Sequence, residues 1–372
     1  MKENYKPIGD YIRVVNQKNK DLNVSQLIGL SIDKCYIPSV ANIIGTDLSN
    51  YKIIKKNQFA CSLMQVSRDG KIPIACMTEY DEAIMSPAYV IFEIIDENVV
   101  LPQYLDMWFM RSEFDREASF LAVGGVRGSL AWDDFCRMEF PLLSLSEQKE
   151  IVKAYQIIED RITLKKQIND NLLATAQTIF KSWFVDYEPF DGVCPSTWHI
   201  GSVEDIAEFY DSMRKPLSSL ERADMERLYP YYGAVSIVDY VDDYIFDGEY
   251  LLVSEDGIYV VDENGHPLLQ HISGKFWANN HAHILKGKAG FNEDSLYLFL
   301  ANTNMAPIVT GAAQPKINQA NLKSFPITIP DADVLVKFNR LIQPFFDQRL
   351  TNVSEIKELE TIKELLLSRL AG

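Results

Sequence analysis

The sequence predicts an α+β protein: two mixed α/β domains joined by two long antiparallel coiled-coil helices, with a pseudo-two-fold internal repeat. Three observations lead to this fold class. A glycine-rich loop, a Phe-Pro pair and a long helix occur in that order twice, with Phe-Pro at 140–141 and again at 325–326. Both helices carry apolar residues at spacings of three and four, as coiled coils do. Short segments rich in β-branched and aromatic residues precede each loop and predict strands.

Length and composition are those of a globular chain. With 372 residues and 47% hydrophobic residues, two domains with buried cores are expected. No apolar run reaches the roughly 18 residues that span a bilayer, and residues 1–6 lack the apolar segment of a signal peptide. We therefore expect a cytoplasmic protein without a membrane partner.

The first domain is predicted over residues 1–145. Its strand candidates are Tyr51–Lys56, Phe59–Met64 and Ala88–Ile94, bounded by turn signals such as Asp69-Gly70. An amphipathic helix is expected over residues 101–118, because Pro102 suits a first helical turn.

The first long helix is predicted over residues 146–185. Ser144 and Glu147 have the spacing of a capping box at its start. Its apolar stripe comprises Ile151, Tyr155, Ile158, Ile162, Ile168, Leu172, Ala176, Ile179 and Trp183. Such a narrow stripe needs a partner, and the second long helix is the simplest one.

The second domain, predicted over residues 186–330, repeats the plan of the first. Tyr250–Ser254 and His281–Leu285 are strand candidates, and a helix is expected near 293–304. Asp256-Gly257 corresponds in layout to Asp69-Gly70 of the first domain.

The second long helix is predicted over residues 331–372. Its expected stripe is Leu341, Phe345, Val353, Ile356, Leu359, Ile362, Leu366 and Leu370. Pro344 is expected to kink or divide this helix, because proline removes a backbone hydrogen bond.

The charge distribution is uneven. A net charge of −16 argues against a simple nucleic-acid binder, which usually carries excess Lys and Arg. Residues 186–263 hold 4 basic and 19 acidic side chains, whereas residues 264–330 hold 5 lysines and only 2 acidic side chains. The plain interpretation is a solvated acidic surface; the alternative is that the basic segment faces an anion.

Signals for catalysis and for metal binding are weak. The five cysteines are scattered without a Cys-x-x-Cys pair, which favours small core residues over a disulfide or zinc framework. Neither a phosphate-binding glycine loop nor a nucleophile elbow is present. His281 and His283 lie two residues apart on a predicted strand, but a third ligand is missing nearby, so we expect no metal site.

Two polar loops and one polar strand are the candidate binding residues. Gln and Asn can pair with adenine edges, and Lys or Arg can reach guanine or phosphate. The candidates are Arg127 and Ser129 in the first domain, and Lys275, Asn279, Asn280, His281, His283, Gln314, Lys316 and Asn318 in the second. A tight structural turn explains the Gln314-Pro315 segment equally well.

At these residues the chain resembles the DNA-specificity (S) subunit of type I restriction–modification systems. The resemblance extends over essentially the whole length and is strongest in the second half. It is carried by Phe246–Tyr250 with Glu255–Gly257, Gly274–His283, Gly311–Asn318, Gly124–Leu130 and Leu145–Val152.

The resemblance implies two target-recognition domains, each reading half of a bipartite double-stranded DNA site, on helices that act as a ruler. It also implies docking of two methyltransferase (M) subunits and association with restriction (R) subunits. S-adenosylmethionine, ATP and Mg²⁺ would be used by those partners, and this chain would hold no cofactor. The start of the second helix, Asp331–Val334, departs from the family pattern seen at Glu147-Gln148, which leaves the second docking surface less well defined.

Two other classes of function compete with DNA recognition. A two-headed, non-catalytic protein–protein scaffold built on the coiled coil is favoured by the acidity and disfavoured by the locally basic loops. A metal-dependent nuclease using His281 and His283 is disfavoured because a catalytic constellation is missing from the sequence.

Overall fold

A computed structural model describes residues 4–39, 46–311 and 313–370 of the chain. The chain forms two compact units. Unit 1 contains the residues up to Thr163 together with those from Ile356 onward, and unit 2 is the continuous segment Leu164–Glu355.

Unit 1 contains a mixed α/β domain with short strands. The strands are β1 (Tyr5–Pro7), β2 (Ile12–Val15), β3 (Ile28–Leu30), β4 (Tyr36–Pro38), β5 (Lys52–Lys55), β6 (Phe59–Cys61), β7 (Ile74–Cys76), β8 (Glu82–Met85), β9 (Val90–Ile94) and β10 (Glu139–Pro141). The helices of the domain are α1 (Val66–Asp69), α2 (Pro102–Phe109), α3 (Ser112–Leu121) and α4 (Trp132–Arg137).

The helix predicted over residues 101–118 is two helices in the structure. α2 begins with Pro102 in its first turn, as expected, and buries Leu105 and Trp108. Arg111 then takes an extended conformation, with φ −73° and ψ 139°, so a new helix begins at Ser112. The guanidinium of Arg111 lies over the Trp108 ring, 4.1 Å from its centroid, and this contact fills the corner between the helices.

A four-stranded antiparallel sheet in the order β2-β9-β6-β7 forms the centre of the first domain. Phe59 and Phe92 stack across it with ring centroids 5.1 Å apart, and Phe109 of α2 packs edge-on against Phe59. Strands β1 and β10 pair at the start and end of the domain. The domain is therefore closed by its own first and last strands.

After the long helix α5 (Leu145–Phe184), unit 2 contains a second mixed domain. Its strands are β11 (His199–Ser202), β12 (Ala207–Phe209), β13 (Tyr229–Tyr232), β14 (Ile237–Val241), β15 (Phe246–Ser254), β16 (Leu269–Ala278), β17 (Ala282–Gly287) and β18 (Pro326–Ile329). Its helices are α6 (Val203–Ile206), α7 (Ser219–Ala223), α8 (Glu293–Ala301) and α9 (Gln319–Lys323). The chain continues into the second long helix, α10 (Ala332–Arg369).

The predicted internal repeat is confirmed by strand topology. The main sheet of the second domain has the order β12-β17-β15-β16-β13-β14. Its first four strands correspond one by one to β2-β9-β6-β7. Strands β11 and β18 close this domain as β1 and β10 close the first. The hairpin β13–β14 lies at the edge of the second sheet, and the described part of the first sheet has no counterpart to it.

Within each unit the two long helices run antiparallel. In unit 1, Glu159 of α5 pairs with Lys363 of α10 at 2.8 Å. In unit 2, Lys165 of α5 contacts Glu355 at 2.8 Å. Nearer the other end of α5, Trp183 packs against Phe338, with ring centroids 5.8 Å apart.

A buried polar layer interrupts the apolar contact between the helices in unit 2. Asn352 is fully buried and donates to Oδ1 of Asn169 at 2.8 Å. Oδ1 of Asn352 accepts from Lys165 at 3.0 Å and from Gln348 at 3.0 Å. In two-stranded coils, a buried Asn of this kind selects one register at some cost in stability.

The apolar seam predicted for α10 is wrong at Leu341, Val353 and Ile362, which are 42%, 57% and 49% exposed. Phe338, Ile342 and Phe346 are buried instead, and the predicted Phe345 is partly buried beside them. Farther along, the predicted Leu366 and Leu370 pack on the core of the first domain. Pro344 does not divide the helix; it is exposed within a continuous α10.

In the described residues no helix is long and apolar enough to cross a membrane.

Candidate functional site

The Gly311 loop (residues 311–318) is a tight excursion between α8 and α9; its Ala312 lies outside the described residues. Thr310 and Lys316 exchange two backbone hydrogen bonds of 2.8 Å that close its neck. Gly311 has φ +84°, and a Cβ there would lie 2.3 Å from the carbonyl oxygen of Gln314, so only glycine fits. Gln314 is exposed at the tip.

Ile317 fastens this loop to the rest of the domain. Its N–H donates to the Glu255 carbonyl at 2.8 Å. Its carbonyl accepts from Nε2 of His283 at 2.8 Å. The Ile317 side chain is itself fully buried, so the base of the loop is fixed through both backbone groups and the side chain.

His283 on β17 is completely buried and bonded at both ring nitrogens. Nδ1 lies 2.6 Å from Oδ2 of Asp211 and Nε2 faces the Ile317 carbonyl. Both neighbours are acceptors, so both contacts are hydrogen bonds when each nitrogen carries a hydrogen.

Asp211 is the acceptor that organises this region. Besides His283, it accepts from the backbone N–H of Ile284 at 2.9 Å and from Nε2 of Gln319 at 2.7 Å. Burial alone raises the pKa of Asp211. The His283 contact, the Ile284 hydrogen bond and the Arg214 charge outweigh burial and leave that pKa below its usual value.

Glu255 links the buried residues to the surface. It accepts from Arg214 at 2.6 Å and from Lys316 at 2.9 Å. Although burial raises its pKa, these two hydrogen bonds outweigh burial and lower it overall. Arg214 also donates to the Ala282 carbonyl at 2.6 Å, which joins β17 to the same cluster. We call Asp211, Arg214, Glu255 and His283 the buried ionic cluster.

Beside this cluster, the turn before β17 carries three of the predicted residues. His281 is 48% exposed, and its Nδ1 lies 2.5 Å from Oδ1 of Asp256. Asn280 is exposed. Asn279 is buried, and its Oδ1 accepts from the backbone N–H of His281 at 2.8 Å, so it shapes the turn.

Asn318 caps a helix. Its side chain accepts from the N–H of Asn321 at 2.8 Å at the start of α9. This is the usual N-cap contact of Asn and satisfies one of the free donors of the first turn.

The remaining predicted residues lie elsewhere. Lys275 is exposed on β16, with its Nζ 4.4 Å from the centroid of the Tyr244 ring. In the first domain, Arg127 is exposed with φ +59° in a short 3₁₀ turn. A Cβ on Gly125 would lie 2.1 Å from the Ser129 carbonyl oxygen, so this loop is as tight as its counterpart in the second domain.

The structure thus brings the Gly311 loop and the 279–283 turn together and divides their residues by exposure. The exposed members are Asn280, His281, Gln314 and, in part, Lys316; the buried or capping members are Asn279, His283 and Asn318. Sequence reasoning missed Asp211, Arg214 and Gln319. Their partners lie far away in sequence, as with the 72 residues between Asp211 and His283.

Three atoms lie within 4.8 Å of one another, a spacing that would suit a metal ion. They are one carboxylate oxygen of Asp211, one of Glu255 and one ring nitrogen of His283. All three groups already have partners in Arg214, Lys316, Gln319 and the Ile317 carbonyl. The nearby positive charges oppose a further cation, so the geometry favours an ionic network over a metal centre.

Comparison with known proteins supports the resemblance seen in the sequence. Residues 195–365 match the family model of the type I restriction modification DNA specificity domain. The predicted resemblance is confirmed. The matched residues include both the Gly311 loop and the buried ionic cluster.

Individual relatives agree with this resemblance. A specificity subunit of a type I restriction enzyme from Haemophilus influenzae is 36% identical over 140 residues. That match covers 38% of this chain and about a third (35%) of the relative's length. The MjaIX specificity subunit of Methanocaldococcus jannaschii is 24% identical over 306 residues, 74% of this chain and 70% of that protein.

A solved structure shares the fold. The type I restriction–modification S subunit from M. genitalium superposes with a TM-score of 0.54 at 13% sequence identity, covering 98% of this chain and 95% of that one. At this identity the likeness concerns the fold alone.

Proposed function

We propose that this chain is the sequence-recognition subunit of a type I restriction–modification complex and binds a bipartite DNA site. The observation that carries the proposal is the repeated strand order β2-β9-β6-β7 and β12-β17-β15-β16, with a specificity-domain match over the second copy. Two diverged copies of one domain suit the reading of two different half-sites.

Base readout is assigned to the exposed polar residues beside the Gly311 loop. Gln314 can pair bidentately with adenine, and Asn280 and His281 offer further donors and acceptors at the same place. Arg127 is the corresponding exposed residue in the first domain. Recognition through the major groove is the expected mode, because each base pair presents a distinct pattern there.

The catalytic steps are assigned to partner subunits. Two M subunits would transfer the methyl group from S-adenosylmethionine, and R subunits would cleave with ATP and Mg²⁺. This chain holds none of these cofactors in the proposal and is not itself an enzyme. The net charge of −16 fits such a division of labour, because M subunits can supply phosphate contacts while this chain supplies base contacts.

The long helices are proposed to set the length of the unread spacer between the half-sites and to dock the M subunits. Their exposed apolar side chains support a docking role: Ile157, Leu164, Val353, Ile362 and Leu365 are each about half exposed or more. Isolated exposed apolar residues are common on proteins, but this number on two helices favours a partner surface.

Reconstitution tests the proposal. The chain is co-expressed with a type I adenine methyltransferase subunit from the same genome, in a host lacking methylation, and methylated adenines are mapped genome-wide. A single bipartite motif that requires this chain supports the proposal. Methylation without it, or nuclease activity of the purified chain alone, contradicts the proposal.

A further inference from the structure

The buried His283 has a role that differs from direct contact with DNA. We propose that His283 is a positioning residue, which holds the Gly311 loop in the register that base recognition requires. This inference rests on the proposed function of the chain and assigns a specificity-determining role to a side chain that contacts no base.

The first step is that His283 joins segments that are remote in sequence. It lies on β17, whereas Asp211 lies in the turn after β12 and Ile317 lies at the base of the loop. The contacts of 2.6 Å to Asp211 and 2.8 Å to the Ile317 carbonyl come from the two nitrogens of one rigid ring. The separation between Asp211 and the loop is therefore fixed by the size of an imidazole.

The second step is that Asp211 is a firm anchor. Ile284 and Gln319 donate to its two carboxylate oxygens, and Arg214 approaches one of them at 3.4 Å. Gln319 belongs to α9, the helix that follows the loop. The anchor thus holds the loop at Ile317 through His283 and again just beyond it through Gln319.

The third step is that the loop transmits the position of its base to its tip. Ile317 lies three residues from Gln314, and the neck between them is closed by the paired backbone hydrogen bonds of Thr310 and Lys316. Gly311 has a left-handed backbone conformation and lies close to the Gln314 carbonyl, which restricts the backbone of the loop to this conformation. Hydrogen bonds to base edges tolerate only about 0.5 Å of variation in length, so a small shift at Ile317 changes which edge Gln314 can reach.

His271 in the same domain offers a matched control. It lies on β16, which β15 separates from β17 in the same sheet, and its side chain is 6% exposed against 0% for His283. Its Nε2 has no hydrogen-bond partner among the described residues. Its neighbours are Asp294, with Oδ1 3.6 Å from Nδ1, and the rings of Tyr297 and Phe346, rather than the loop. Removing either imidazole disturbs a buried site, but only one of them holds the loop.

The experiment uses the complex reconstituted with M subunits and compares His283→Phe with His271→Phe. Methylated adenines are mapped genome-wide, and melting temperatures are measured for both variants. We expect His283→Phe to lower discrimination at one or more bases of the second half-site by tenfold or more. Discrimination in the first half-site should be unchanged in the same molecules. His271→Phe should keep the wild-type motif, with a melting temperature comparable to that of His283→Phe.

Gln319→Ala provides a milder second variant if His283→Phe folds poorly. Gln319 is partly exposed, and replacing it with Ala removes one of the hydrogen bonds that hold Asp211. We expect discrimination at the same bases to fall by a smaller factor. A wild-type motif for both His283→Phe and Gln319→Ala would overturn the inference. So would an equal loss of discrimination in the two half-sites, since that indicates general instability. Failure of the wild-type complex to methylate any bipartite site would instead overturn the proposed function.

Discussion

At the scale of single residues, polar side chains around the Gly311 loop divide into those that a partner can reach and those that shape the surface. Gln314, Asn280 and His281 are exposed. Asn318 instead caps α9, and His283 belongs to the buried ionic cluster. Substitutions in the two groups should therefore have different consequences.

Gln314→Ala in the assembled complex should alter which second half-site is methylated while leaving the melting temperature unchanged. Loss of one bidentate base contact costs about 1–3 kcal/mol and relaxes specificity at that base. Lys286→Ala or Lys288→Ala should instead weaken binding to all sequences alike, as loss of a phosphate contact does. Methylome maps and DNA affinities at two salt concentrations distinguish these effects. An unchanged map for Gln314→Ala in a stable protein would leave this loop as a structural turn.

Asp294→Asn should stabilise the protein at pH 8 and make little difference near pH 4. Burial, assisted by the charges of Glu249, Asp347 and Glu293, raises the pKa of Asp294 to about 7. The folded state then binds more protons than the unfolded state between pH about 4 and 7, so this carboxyl costs stability as pH rises through that range. Asparagine removes the titration, with an expected gain of a few kcal/mol at most.

Thermal unfolding of wild type and Asp294→Asn at several pH values checks this expectation. His271 should change the stability with pH in the opposite direction, because burial, with a smaller effect of Arg349, lowers its pKa to about 4. Its stabilising contribution is lost as pH falls from about 6.5 towards 4. A constant difference between Asp294→Asn and wild type across pH would contradict the assignment to Asp294.

The sequence predicted the residue types of the surface better than their roles. Asn318 could have been recognised as a cap, because Asn is a preferred N-cap and a short helix follows it directly. The burial of His283 could not, since an alternating strand pattern does not reveal a carboxylate that arrives from a distant turn. Long-range ionic partners are determined by topology and leave no local signal.

At the scale of elements, the Asn169–Asn352 pair should matter more for the register of the two long helices than for stability. Asn352→Leu leaves Oδ1 of Asn169 without its donor and should lower the free energy of unfolding by about 1–3 kcal/mol. Replacing both residues with Leu should restore much of that loss, because an apolar pair of similar size suits the seam.

Urea unfolding of the two single variants and the double variant completes the thermodynamic cycle. An additive result, with the double variant as unstable as the sum of the singles, would show that the two amides do not act as a pair. The exposed Asn280→Leu serves as a control, since it lies outside the helix contact.

The seams of the long helices show where a periodic pattern is ambiguous. In α10, Leu341 with Phe345 and Ile342 with Phe346 form two apolar rows one residue apart. The sequence analysis selected the first row, and the structure buries the second. Phe338, which lies one turn before Ile342 on the buried row, packs against Phe180 and Phe184 of α5. A single-helix pattern does not contain that information.

At the scale of the whole molecule, the duplicated loop and Phe-Pro pairs predicted the repeat, and strand topology confirmed it. The hairpin β13–β14 was not predicted, because an addition at a sheet edge changes neither the order of the other strands nor the apolar pattern around it. Repeated sequence therefore revealed the shared sheet and not the feature that distinguishes the copies.

The proposed ruler predicts the effect of shortening both helices. Deleting seven residues from α5 and the seven opposite residues from α10 removes about 10 Å of helix. The unread spacer should then shorten by about three base pairs, with both half-sites unchanged. Methylome mapping measures the spacer directly. Methylation at the original spacer by a stable deletion variant would rule out the ruler.

The division of the chain into units also bears on its synthesis. Unit 2 is one continuous segment, whereas the core of unit 1 includes Leu370 with Leu366 and Leu367 from the far end of the chain. On the ribosome, the domain that emerges first must wait for the last helix before its apolar surface is covered. Unit 2 can finish first, although it is made later. A chain that stops at residue 355 and is released from the ribosome should therefore have a protease-resistant second unit and a first domain that is still easily cleaved.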